Sequence, residues 1–149
     1  MKTNSRIRGS QVLAAALLMS LFFIATSQAQ TDLVVFAGKF TLTDQVLWGK
    51  TVLQPGDYTI TIGSTSMPTH ALVSDSKGRA VALFTSTVDS GERSTRNALL
   101  TMEKGGQMHV YSLELANLGK VLVYDPALAR AAVLEARATQ TVPVMLAKR

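Results

Sequence analysis

The sequence predicts an all-β domain, either a Greek-key β-sandwich or a small barrel, with one short helix near the C-terminus. Short runs in which apolar and polar residues alternate recur along most of the chain, and this period of two is typical of strands. Clusters of Gly, Asp, Asn, Ser and Pro separate the runs at the spacing of roughly 8–12 residues that sandwiches and barrels use. Beyond residues 1–29, strong helix formers become concentrated only after residue 125. These three observations argue against a plan of alternating strands and helices.

Three extended pieces are predicted before the first proline-glycine turn. In chain order, the predicted elements are a lead-in strand at residues 32–35, a bend at 36–38, a strand at 39–43 and a strand at 46–48. Phe40 and Leu42 share one face of their strand, because successive side chains point to opposite sides. Trp48 is the only tryptophan, and we expect it to fill the core.

A proline-glycine turn precedes the clearest strand of the chain. Pro55 presets φ for the second position of a turn, and Gly56 supplies the positive φ that a type II turn needs at its third position. Tyr58, Ile60 and Ile62 alternate with threonines. The three large side chains are therefore predicted to lie on one face of a strand.

The same stretch carries a recognisable spacing, Leu53-x-Pro55-Gly56-x-Tyr58. It resembles the tyrosine corner of Greek-key sandwiches, in which the phenol bonds back to a backbone group a few residues upstream. The resemblance implies a fold and says nothing about function.

Two β-hairpins are predicted in the middle of the chain. They cover residues 70–87, with a turn at 75–78, and residues 97–115, with a turn at Gly105-Gly106; a short strand at 120–124 follows. Residues 80–84 are apolar on both faces, which predicts a central position in the sheet. Paired glycines suit the second turn, because tight hairpin turns need positive φ. Ala98, Leu100 and Met102 are predicted to share one face of the second hairpin.

The last part of the chain predicts a helix followed by a strand. Asp125 is a good N-cap, and Pro126 is preorganised for the first helical position. Residues 126–138 are rich in helix formers, but their apolar residues form no clean stripe, so we expect a short helix or one packed loosely on the sheet. Pro143 predicts that the final strand, residues 141–146, lies at a sheet edge.

The N-terminus has the pattern of a Sec-type signal peptide. A positive start is followed by an apolar run at residues 12–26 and by the small residues Ser27 and Ala29, which frame a cleavage site. The run is shorter than the roughly 20 residues that span a bilayer, and no cysteine follows it for lipid attachment. We therefore predict that residues 1–29 are removed, that no stable membrane span is left, and that residues 30–149 form a single β-rich domain in the periplasm or outside the cell.

Charge and cysteine content narrow the class of partner and the compartment. The predicted mature chain has a net charge of about +2, because residues 1–29 hold three of the fifteen basic residues and none of the ten acidic ones. It has no basic stripe with interleaved aromatics, so we expect no nucleic-acid partner. The absence of cysteine is typical of a bacterial envelope or secreted protein stabilised by packing alone.

Candidates for catalysis are few. His70 and His109 both lie in predicted strands, where an imidazole usually packs at a sheet edge. A hydrolase could combine one of them with Asp75 and with Ser64 or Ser66. No nucleophile-elbow pattern supports this arrangement. The hydrolase remains an alternative, and we assign no catalytic residue.

Metal and carboxylate chemistry also lack a specific signal. The chain has no thiolates, and its two histidines are too far apart in sequence for a ligand pair. Asp89, Ser90 and Glu92 lack the dense oxygen repeat of a calcium loop. A glycosidase pair could be drawn from several carboxylates, with no reason to choose two of them: Asp44, Asp57, Asp75 and Glu114. We assign no metal ligand and no cofactor.

Neutral hydroxyl side chains recur opposite the apolar residues of the predicted strands. They are Thr41, Thr43, Thr59, Thr61, Thr85, Ser86 and Thr87. The high β-propensity of threonine explains them most simply. The alternative is an uncharged face that touches a polymer or another protein.

A longer series of motifs resembles a group of small secreted bacterial β-rich proteins of unassigned function. It consists of Phe40-x-Leu42, Val46-x-Trp48-Gly49, Leu53-x-Pro55-Gly56-Asp57-Tyr58-Thr59, Ala98-Leu99-Leu100 and Leu113-x-Leu115-x-x-Leu118-Gly119. The resemblance covers residues 39–124 and implies an exported β-rich domain. It transfers no catalytic or ligand-binding residue.

From these features we expect a non-enzymatic exported module that binds a protein, a polymer or an envelope surface. One alternative is a carrier in which the sheet curls around a cavity for a small apolar ligand. The other is the hydrolase that uses His70 or His109.

Overall fold

The computed structural model describes residues 34–135 and 139–147, and in this part of the chain the strands form two sheets. In chain order the strands are β1 Phe36–Leu42, β2 Val46–Trp48, β3 Thr51–Leu53, β4 Gly56–Ile62, β5 Thr69–Asp75, β6 Ala80–Ser86, β7 Val88–Asp89, β8 Asn97–Lys104, β9 Gln107–Leu115, β10 Lys120–Val123, β11 Thr139–Pro143 and β12 Met145–Leu146. A 3₁₀ turn, Ala116–Leu118, precedes β10, and one α-helix, α1 Pro126–Glu135, follows it. The all-β prediction with one short helix near the C-terminus is confirmed.

The first sheet is antiparallel and has the order β12-β1-β4-β5-β6. The second sheet contains the order β11-β8-β9-β10-β7, and β2 pairs in parallel with the first half of β9 while β3 pairs with β2. Strands β8, β9 and β10 are antiparallel neighbours in sequence, and β11 returns to lie beside β8. This is the spatial order of a Greek key.

The main core lies between the two sheets. The first sheet contributes Phe36, Phe40, Leu42, Tyr58, Ile60, Ile62, Ala71, Val73 and Phe84, and the second contributes Val46, Trp48, Leu53, Leu99, Val110, Leu113, Leu115 and Leu122. Trp48 is completely buried, as predicted, and its ring stacks on that of Phe84 with the centroids 4.0 Å apart. Large side chains from both sheets therefore occupy the interior.

The hydrogen bond expected of the Tyr58 phenol is present at the start of β4. The Tyr58 hydroxyl donates a hydrogen bond of 2.8 Å to the carbonyl of Gln54, four residues upstream. Tyr58, Ile60 and Ile62 are all buried on one face. The predicted type II geometry is wrong, however, because Gly56 has a φ of +151°, well away from the value of about +80° that such a turn needs.

Two further local predictions need correction. No bend separates residues 36–38 from the strand that follows, since β1 runs without interruption from Phe36. Val34 and Val35 precede that strand, and residues 32–33 lie outside the described part of the chain. Residues 80–84 are not central in their sheet, because β6 lies at one edge of the order β12-β1-β4-β5-β6.

The last strand crosses from one sheet to the other. Pro143 ends β11 at the edge of the second sheet, as its residue type predicted, and β12 then pairs with β1 in the first sheet. Val144, at the crossing, is buried close to Gly38. A Cβ atom added to Gly38 would lie 2.5 Å from Val144 Cγ1, so the absence of a side chain at this position allows the crossing segment to approach.

The predictions about the N-terminal segment lie outside the described residues. They concern the signal peptide at residues 1–29 and residues 30–33, the start of the single domain predicted at residues 30–149. Residues 136–138, the end of the predicted helix, are likewise outside. Neither described range contains a helix with the length and apolar character that crossing a membrane requires.

Candidate functional site

A groove on the outer face of the second sheet is the best candidate for a functional site. Strand β10 lies on one side of β9 and β11 must reach β8 on the other side, so the connection between them has to cross the sheet. Helix α1 lies in that connection. Leu128 of the helix packs on Ala98, Leu100 and Met102 of β8, which share the outer face as predicted.

The start of the helix is fixed by two local devices. Asp125 caps it as predicted, with Oδ1 accepting hydrogen bonds of 3.0 Å from the backbone N–H groups of Ala127 and Leu128. The Tyr111 carbonyl accepts hydrogen bonds from the N–H groups of Tyr124 and Asp125, at 2.8 and 3.2 Å. The end of β10 is therefore tied to the middle of β9 just before the helix begins.

A β-bulge in β9 shapes the floor of the groove. The register shifts so that Leu100 pairs with Ser112 and Thr101 with Val110, which leaves Tyr111 as the extra residue. A bulge redirects side chains, and consecutive residues Tyr111 and Ser112 both line the groove. Burial is the main cause that raises the pKa of the Tyr111 phenol above its usual value.

The groove has a volume of about 470 Å³, within the range of roughly 300–1,000 Å³ found for small-molecule sites. Its lining comes from β8, β9, β10, helix α1 and the loop after β7. The lining residues are Ser90, Glu92, Leu100, Tyr111, Ser112, Glu114, Val121, Val123, Ala129, Arg130, Ala132, Val133 and Leu134. Most of these side chains are apolar.

Part of the rim of the groove is formed by two apolar residues of helix α1 that face solvent. Val133 and Leu134 are each 83% exposed. Exposed single apolar residues need no explanation, but two at the mouth of an apolar groove enlarge the surface that a ligand could cover. The helix therefore packs through Leu128 and leaves Val133 and Leu134 exposed.

The charged groups at the groove largely balance one another. Arg96 Nε lies 2.7 Å from Oε2 of Glu114, which lines the groove. Glu92 and Arg130 contribute one negative and one positive charge at the rim, and both are exposed. A ligand without a strong net charge therefore suits the groove best.

The structure gives His70, Asp75 and Ser64 separate local hydrogen-bond partners. His70 Nδ1 lies 2.9 Å from Thr85 Oγ1 on an exposed part of β5. Asp75 is five residues further along the same strand, on the order of 16 Å at the usual rise, and it binds Arg79. Ser64 Oγ accepts the backbone N–H of Ser66. His109 lies in β9, in the other sheet.

The other carboxylates considered from the sequence have local hydrogen-bond partners. Asp57 accepts from Thr41, Asp44 from Thr43, and Asp89 from Lys120. Among residues 34–135 and 139–147, no three His, Asp or Glu side chains converge in a way that could hold a metal ion. The assignment of no metal ligand and no cofactor stays a prediction.

A second concavity, of about 530 Å³, lies at the Gly105-Gly106 end of the second sheet. Its lining is mainly polar, from Asp44, Gln45, Glu103, Gly106, Gln107, Met108 and Gln140. It offers no apolar floor, and we rank it below the groove as a ligand site.

The fold and groove define a class: an all-β, sandwich-like protein whose one described helix covers part of the outer face of a sheet. Comparison of the chain with protein-family models, with curated proteins and with solved structures finds no match. Function is therefore inferred from the groove itself.

Proposed function

We propose that this protein is a non-enzymatic exported binding module and that it binds a small, largely apolar ligand in the groove between α1 and the second sheet. The observation that carries the proposal is the groove itself, with its volume of about 470 Å³ and its mostly apolar lining. Pockets that hold small molecules combine such a lining with a few polar groups that orient the ligand.

The location of the site differs from the carrier considered from the sequence, which placed the ligand inside a curled sheet. The space between the two sheets holds buried side chains such as Trp48 and Phe84, whereas the groove lies on the outside of the second sheet. Tyr111 and Ser112 supply polar atoms on its floor, and Arg130 and Glu92 supply opposite charges at its rim. These groups favour a neutral or zwitterionic molecule over a strongly charged one.

The proposal is tested with N-phenyl-1-naphthylamine, a neutral apolar fluorophore. We expect the purified protein to bind it saturably with one site per chain. The double variant Val133→Lys/Leu134→Lys should weaken binding at least fivefold, because it replaces the apolar rim with charge. Lysine is chosen because positive charge is compatible with the C-terminal end of a helix.

The matched control is the double variant Val81→Lys/Leu83→Lys, which changes two exposed apolar residues on the other sheet. It should bind the fluorophore like the unmodified protein. Failure to saturate, or equal weakening in both double variants, would contradict the groove as the ligand site. Native mass spectrometry of gently purified protein then identifies the mass of any ligand that stays bound.

A protein, polymer or envelope surface as partner stays a prediction for the outer face of the first sheet. Thr41, Thr59, Thr61 and Thr85 belong to that sheet, but Ser86 does not fit the predicted hydroxyl face. Ser86 is buried, and its hydroxyl donates a hydrogen bond of 2.7 Å to the carbonyl of Val123 in the second sheet.

A further inference from the structure

Strand β6 is an edge strand that lacks the usual protection against pairing. Within the described residues it pairs on one side only, with β5. Its seven residues, Ala80–Ser86, include no charged residue and no proline. An edge of this kind presents a row of N–H and C=O groups that can accept another strand.

The other sheet edges are short or interrupted. Strands β12 and β7 have two residues each, and β11 carries Pro143, which cannot donate a backbone hydrogen bond. Short edge strands and edge prolines are two ways in which proteins block edge-to-edge association. Among the described strands, β6 therefore stands out as the long, uncharged edge.

The side chains near this edge are also unusually apolar for an exposed surface. Leu83 is 61% exposed and Val81 is 41% exposed. Leu72 of β5 lies directly opposite Leu83 in the register and is 37% exposed. An apolar patch that continues to an open sheet edge is suited to burial against a further strand.

We propose that β6 pairs antiparallel with β6 of a second copy of this chain, which joins the two five-stranded sheets into one continuous sheet across a two-fold axis. A two-fold contact presents the same surface from both sides, so a strand that binds itself must not place like charges opposite each other. The uncharged β6 meets this condition along its whole length.

The charges at the ends of β6 support the same arrangement. Lys77 and Arg79 lie in the turn before the strand, where Arg79 is paired with Asp75. Antiparallel pairing places the two basic turns at opposite ends of the contact. The same basic residues of the two copies therefore do not face each other across the two-fold axis, which avoids like-charge repulsion in a self-paired contact.

The absence of cysteine from the sequence allows a direct test. Single cysteines are introduced separately at Val81, Leu83 and Thr85, which alternate along β6, and the full protein is oxidised under mild conditions. In antiparallel pairs, residues that face each other have Cα atoms roughly 4.5–5.5 Å apart, which matches disulfide geometry. We expect the position nearest the two-fold axis to form a disulfide-linked dimer rapidly.

Leu72→Cys is the matched control, because Leu72 belongs to the same patch but to the neighbouring strand. It should cross-link at least tenfold more slowly than the best position in β6. Equal or faster cross-linking at Leu72 would indicate contact through the sheet face and would overturn edge pairing.

Sedimentation velocity of the cysteine-free protein supplies an independent measurement. We expect a concentration-dependent dimer whose dissociation constant rises at least tenfold in Leu83→Lys and is unchanged in Val133→Lys/Leu134→Lys. A protein that stays monomeric at all concentrations, or that pairs through β6 only with a strand of another protein, would overturn the proposal. Fluorophore binding in the groove is measured separately, so failure of either proposal leaves the other intact.

Discussion

The Tyr58 phenol donates a hydrogen bond of 2.8 Å to the carbonyl of Gln54 and thereby closes the turn that leads into β4. The ring also stacks on Phe40, with centroids 5.5 Å apart. Tyr58→Phe should keep the stacking and lose the hydrogen bond, which lowers the free energy of unfolding by about 1 kcal/mol. Urea denaturation at neutral pH measures the change. A variant as stable as the unmodified protein would show that the corner is dispensable.

Tyr124→Phe makes a useful comparison, because the Tyr124 hydroxyl is buried and has no hydrogen-bond partner among residues 34–135 and 139–147. Its ring makes an edge contact with Trp48 at 4.9 Å, and burial raises the pKa of the phenol. Removing an unsatisfied buried hydroxyl relieves a desolvation cost of roughly 1–3 kcal/mol. We expect the variant to be as stable as the unmodified protein or more stable. A loss of stability similar to that of Tyr58→Phe would reveal a partner for the hydroxyl.

The features that the sequence predicted well depend on neighbouring residues. Alternation placed Tyr58, Ile60 and Ile62 on one buried face, and paired glycines located the turn at Gly105-Gly106, where both φ values are positive. Period two and turn chemistry act over a few residues. They can therefore be recognised in a single sequence.

The features that the sequence missed depend on contacts between distant segments. Residues 80–84 looked central because they are apolar on both faces, yet β6 is an edge, and one of its faces leaves Leu83 exposed. The groove was not predicted from the sequence. Leu100 and Tyr111 come close to the helix only because the connection from β10 to β11 crosses the sheet. The one local signal was the run of three consecutive apolar residues Ala98-Leu99-Leu100 in β8, which indicates a strand covered on both sides.

Gly38→Ala tests the close approach of the segment that crosses between the sheets. The new Cβ would lie 2.5 Å from Val144 Cγ1 and 3.1 Å from the Phe36 ring. Overpacking of this kind typically costs about 1–3 kcal/mol, and thermal or urea unfolding measures it. Combining the change with Val144→Ala should restore part of the loss, so the double variant should be more stable than the sum of the single effects predicts. Strict additivity would contradict a direct clash.

The Asp89–Lys120 pair should make stability depend on pH in the acid range. Lys120 Nζ lies 2.6 Å from Asp89 Oδ2, and this hydrogen bond is the main cause that lowers the pKa of Asp89. A carboxyl with a lowered folded-state pKa contributes stability above its unfolded pKa of about 3.9, and the contribution is lost as pH falls through the folded value.

Asp89→Asn should therefore reduce the free energy of unfolding by up to about 1 kcal/mol at pH 7. The difference from the unmodified protein should be constant above roughly pH 5 and should shrink below pH 4. Urea denaturation across this range measures it. Lys120→Met should show the same pH dependence, and a difference that persists at the lowest pH would assign the effect to packing.

Asp125 connects the stability of the helix to the proposed ligand site. Its carboxylate accepts the N–H groups of Ala127 and Leu128, and the helix forms one wall of the groove. Asp125→Ala should cost about 1 kcal/mol through loss of the N-cap and should weaken fluorophore binding, because the wall opens more often. Asp125→Ser keeps a capping oxygen and should retain most of both properties. Hydrogen exchange of the α1 amides measures the opening directly. If exchange accelerates in Asp125→Ala while fluorophore binding stays unchanged, binding of the ligand does not depend on the helix.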